Sequence, residues 1–137
     1  DAIPPAIVGF IDAETTANIG AFDRDASPRE RLFEILMARF DVLQAHRQGL
    51  LAIAEACRKS PALGLAVIQR QWQGMRTMLQ LAGIEPDAPQ IIGLLALYHH
   101  VLRHWEHDTS PDMAKTMATL DRSLAHAETV MAALRRR

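Results

Sequence analysis

Apolar residues recur along this chain at steps of three and four, the spacing of one face of an α-helix. Leu32, Phe33, Leu36, Met37, Phe40 and Leu43 form one broad stripe, and Leu65, Ile68, Trp72, Met75, Leu79 and Ala82 form a second. Ile91, Leu95, Tyr98, Leu102 and Trp105 make a third. Met113, Met117, Leu120, Leu124, Ala127, Met131 and Leu134 make a fourth. No segment alternates with period two, and β-branched residues are sparse among many alanines and leucines, so no strand is predicted. The helix starts are written in the sequence. Ser27-Pro28-Arg29-Glu30 is a capping box with proline at the first helical position. Ser60-Pro61 and Ser110-Pro111 repeat the Ser-Pro start, Asp112 adds negative charge at a helix N-terminus, and Asp87-Ala88-Pro89 is a weaker version. Gly20 and Gly83 follow periodic stretches, where a left-handed residue stops a helix, and Gly49 is expected to separate two helices, with a place inside one helix as the alternative. The prediction is six helices, over about 4–19, 28–46, 49–58, 61–82, 88–107 and 111–135, in one all-α bundle with short connections.

The fifth helix is apolar over more than one stripe, because Ile92, Leu94, Leu97 and Val101 widen it. A helix apolar over most of its girth is buried on several sides. The extra cover is expected from a second copy of the chain, with two helices per protomer meeting about a two-fold axis; a central place within one protomer is the alternative.

Composition changes this picture mainly by exclusion. The 137 residues fit one domain, and 49% hydrophobic content excludes wholesale disorder. Lys+Arg 15 against Asp+Glu 16 gives a net charge of −1, with none of the basic excess of a nucleic-acid surface. No apolar run reaches the roughly 18 residues of a membrane span. The single cysteine, Cys57, excludes an internal disulfide framework and fits a reducing, cytoplasmic setting.

Catalytic chemistry finds little footing. His100 and His104 have the i, i+4 spacing of metal ligands, with His107 and Asp108 nearby, but no Glu follows His100 to complete a zinc-protease motif. The bland alternative is a polar helix edge, with His99 and Arg103 alongside, and no metal or cofactor is expected. Arg58 and Lys59 beside Cys57 would favour its thiolate, yet a small packed cysteine is the commoner case. No nucleophile elbow, phosphate loop or dinucleotide fingerprint is present, so no enzyme is predicted. The more informative cluster is apolar. Phe33, Met37 and Phe40 can face Trp72, Met75 and Met78, an aromatic and methionine lining that suits a small apolar ligand and would serve equally as a filled core.

The stretch His104-Trp105-Glu106-His107-Asp108-Thr109-Ser110-Pro111-Asp112, followed by Thr116-Met117-Ala118-Thr119-Leu120-Asp121-Arg122, resembles the C-terminal end of many TetR-family transcriptional regulators. The run from Arg31 to Arg47, RLFEILMARFDVLQAHR, resembles the opening of the same regulatory domain. The lipid-binding proteins of ubiquinone biosynthesis share the TetR-like fold and a similar end pattern, and are the alternative. They also carry an Asp- and Thr-rich segment ahead of the penultimate helix, and Ala82–Pro89 departs from it. The resemblance implies a TetR-like regulatory domain over 1–137, with a connector helix over 1–20, a ligand-binding core over 27–107 and dimerisation helices over 88–135. It implies a homodimer and a small apolar effector. DNA contact would be made only through an N-terminal helix-turn-helix that residues 1–137 do not include, since the chain starts at Asp1 and no stretch matches one. The implied pocket residues are Phe33, Leu36, Met37, Phe40, Ile68, Trp72, Met75 and Met78. The implied dimer residues are Leu95, Tyr98, Leu102, Leu120, Leu124 and Met131.

Overall fold

The computed structural model describes residues 3–136. Six α-helices follow one another: α1 (Ile3–Asn18), α2 (Pro28–Ala45), α3 (Arg47–Lys59), α4 (Pro61–Leu81), α5 (Ala88–His107) and α6 (Ala114–Arg135), with a 3₁₀ turn at Pro111–Met113. No strand occurs among the described residues. Three of the predicted starts act as written, while Ser110-Pro111 opens only the 3₁₀ turn. Glu30 N–H donates to Ser27 Oγ and Ser27 N–H to Glu30 Oε1, both at 3.1 Å, closing the capping box of α2. Ser60 caps α4 through Leu63 N–H at 3.2 Å, and Asp87 caps α5 through Gln90 N–H at 3.0 Å. Gly83 takes φ +79 past the end of α4, and Ile84 N–H returns to Leu79 C=O at 2.9 Å, the closing bond of a helix stop.

Three expectations are corrected. Gly20 is not left-handed; α1 has already ended at Asn18. Gly49 lies inside α3, and the break falls at His46, whose φ of −121 and ψ of 30 leave the helical region. Asp112 does not open α6. It and Met113 are left-handed, at φ 52 and 55, and α6 starts after them.

α5 lies between α4 and α6, α1 packs on α2 and α4, α3 covers α4, and α6 closes against α2. Ile35, Leu36, Phe40, Met75, Val101 and Leu120 are fully enclosed in the core where these helices meet. The wide apolar girth of α5 is satisfied within one chain: Leu94, Leu97 and Val101 are buried, and only Ile92 stands out, at 57% exposure. At the α5–α6 turn Asp108 accepts from Ser110 N–H (2.8 Å), Thr116 N–H (2.8 Å), Thr116 Oγ1–H (2.7 Å) and the Ser110 hydroxyl. Burial alone would raise the Asp108 carboxyl. The hydrogen bonds from Ser110 and Thr116 outweigh it and hold the group well below the usual carboxylate range.

Candidate functional site

Five helices leave a cavity of about 240 Å³ between them. Each contributes residues one helical face apart. Pro4, Ile7, Val8 and Ile11 come from α1, Leu50, Ile53, Ala54 and Cys57 from α3, and Gly64, Val67, Ile68 and Gln71 from α4. Leu43 and Arg39 of α2, Arg58 of α3, and Tyr98, His99, Leu102, Arg103, Trp105 and Glu106 of α5 complete the wall. α3 and α4 run close here: a Cβ on Gly64 would stand in ordinary contact, 3.5 Å from the Cys57 carbonyl. Burial pushes the Cys57 thiol up, away from the thiolate form.

The polar part of this lining is concentrated. Arg39 is 1% exposed, forms an ion pair with Asp12 of α1, and has its guanidinium 5.0 Å from the Tyr98 ring centroid. Its Nε–H has no partner. Asp12 reaches Arg39 past Gly74, where a Cβ would come within 2.7 Å of the Asp12 carboxylate. Gln71 Oε1 lies 2.7 Å from His99 Nε2; the amide carbonyl accepts, so Nε2 carries the ring proton. Burial, then the positive charges of Arg103 and Arg39, push the His99 pKa down and keep the ring neutral at pH 7. Near Trp105, Gln44 Oε1 accepts from the indole N–H at 2.9 Å and Arg47 stacks 4.6 Å from the ring centroid. Arg58 pairs with Glu106, and Arg47 donates to the Glu106 carbonyl at 2.8 Å.

Of the eight residues predicted for the pocket, the structure places Ile68 on this cavity. Leu36, Phe40, Met75 and Met78 are buried in the solid core, and Phe33, Met37 and Trp72 pack against its edge. The aromatic and methionine cluster therefore fills the space between α2 and α4, and the hollow lies on another side of both helices. Arg39, Gln71, Tyr98 and His99 were missed. Arg39 had a sequence signal, since it occupies a core position of the stripe through Leu32, Ile35, Leu36, Phe40 and Leu43.

A second concavity, an open groove of about 760 Å³, runs between α5 and α6. Gly93, Ala96, Leu97 and His100 line one side, and Arg122, Ser123, His126, Ala127, Val130 and Met131 the other. Among the residues predicted for a dimer interface, Leu95, Tyr98, Leu120 and Leu124 are covered by their own chain, while Leu102 and Met131 are half-buried. Leu124 and Met131 line the groove. The His100 and His104 rings meet edge to face at 5.0 Å, and the described residues hold no group of three or more potential metal ligands. No helix among the described residues is long and apolar enough to cross a membrane. No protein-family model, curated protein or solved structure gives a significant match to this chain.

Proposed function

We propose that this chain is the ligand-binding and dimerisation domain of a TetR-type transcriptional regulator. In this reading a small molecule in the cavity controls DNA binding by a helix-turn-helix outside residues 1–137. The observation that carries it is the wall that α1 gives to the cavity: Pro4, Ile7, Val8 and Ile11 border the same space as α3, α4 and α5. A ligand there touches the most N-terminal helix directly, so its binding energy depends on where α1 sits. Unequal binding to two positions of α1 is the condition for control. The dimer would form across the α5–α6 groove, whose small residues Gly93, Ala96 and Ala127 admit a second pair of helices.

The cavity's volume of about 240 Å³ suits a ligand smaller than the drug-sized class, whose sites run to roughly 300–1,000 Å³. The deciding observation is the coding sequence upstream of the Asp1 codon. About 50 in-frame codons for a basic three-helix motif are expected. The full-length protein should then shift its own promoter DNA in a gel. A start codon directly before Asp1 would overturn the regulator reading in favour of a stand-alone binding module. For the dimer, Ala96→Glu changes an exposed groove residue, and sedimentation velocity should show the protein become monomeric.

A further inference from the structure

The proposed function leaves the class of ligand open, and the charges around the cavity narrow it. Arg39 is buried with an Nε–H that no acceptor satisfies, an arrangement that an entering acceptor improves. Arg103, one turn along α5 from His99, lines the cavity, is exposed, and has no ion-pair partner among the described residues. The nearby carboxylates are already committed, Asp12 to Arg39 and both Glu55 and Glu106 to Arg58, so none of them answers Arg103. Arg103 and Arg39 also bear on His99, adding to burial in lowering its pKa. The rest of the wall is hydrocarbon, with Ile7, Ile53 and Ile68 from three different helices.

We propose that the cavity binds a small apolar carboxylate, its head group among Arg103, Arg39 and the His99–Gln71 pair and its hydrocarbon on Ile7, Ile53 and Ile68. This rests on the cavity being a ligand site. One carboxylate supplies the acceptor that Arg39 Nε and Arg103 lack, and a single short chain suits the volume.

The test is calorimetric titration of the chain with octanoate and with 1-octanol, which shares the hydrocarbon and lacks the charge. Octanoate is expected to bind about tenfold more tightly, the ratio for one charge-assisted contact. Arg103→Gln, a change at an exposed position, should cut that preference to about threefold. Ile68→Phe, which fills the cavity, should weaken both probes. Octanoate should also shift the ¹⁵N–¹H resonance of Arg39 Nε in the wild type, a signal that 1-octanol should leave in place. Equal affinity for the two probes would overturn the carboxylate assignment and leave the ligand cavity standing. Octanoate binding that survives Ile68→Phe unchanged would put the site elsewhere and overturn the proposal. Failure of both probes to bind would overturn the cavity reading as well.

Discussion

Asp108→Asn is the sharpest test of how the α5–α6 turn is held. The carboxylate accepts from two backbone N–H groups and two hydroxyls, and ties the end of α5 to the first turn of α6. Asparagine keeps one oxygen and places an amide N–H₂ where the other stood, facing two donors. Thr116 is fully buried, so its N–H has no water to turn to. Losing two hydrogen bonds to a charged acceptor, at roughly 1.5–3 kcal/mol each and with partial relaxation, predicts a loss of about 3 kcal/mol. For a chain of this size that is a fall in Tm of about 10 °C. The pH dependence gives a second signature. The folded Asp108 carboxyl is held below its ordinary value, so its contribution is complete above the unfolded pKa of about 3.9 and is lost as pH falls towards the folded value. Urea unfolding followed by circular dichroism from pH 6 to pH 3 should show wild type losing stability more steeply below about pH 4 than the variant. A loss under about 1 kcal/mol at pH 7, or parallel curves down to pH 3, would refute this account.

Other substitutions probe the remaining joints. Gly74→Ala should gain helix propensity yet destabilise by about 1–3 kcal/mol, because its Cβ meets Asp12 at 2.7 Å; thermal melts would decide. Arg39→Met should lose about 3 kcal/mol by stranding Asp12, and adding Asp12→Leu should restore most of it, since a buried pair is worth little against well-packed apolar residues; a double-mutant cycle measures this. The His99 ring should titrate below pH 6.5 in an NMR pH series. Its neutral form supports the fold above that pH and ceases to as pH falls through 6.5 towards the folded value, so His99→Gln should flatten stability in that window. Phe40→Ala, at a fully enclosed position, should cost about 3–5 kcal/mol in chemical denaturation.

Helix boundaries were legible because capping chemistry is local. Ser27, Ser60 and Asp87 reach only three residues ahead, and the residues that answer are adjacent in sequence. The cavity was not legible, for a physical reason. The most apolar face of a helix is the one its own chain covers first, so the stripes of α2 and α4 marked the filled core. The hollow is lined by what remains: Ala54, Cys57 and Gly64 for room, and Gln71, His99 and Arg39 for polarity. Pairings such as Asp12 with Arg39 depend on how helices cross, which spacing along one helix does not encode. The stretch around Asp108 has its own account. Asp108, Ser110 and Thr116, which carry part of the family resemblance, are bound to one another in a turn, and those bonds need no ligand to explain them.

The seat of α1 has a consequence for how that helix can move. Asp12 lies in a notch that Gly74 leaves open, its charge matched by Arg39. Sliding α1 by one turn would bring Val8 or Thr16 to the notch, and neither carries a charge. The helix therefore has a single detent, like a bolt with one catch. A one-turn slide would leave Arg39 without the carboxylate that now pairs with it.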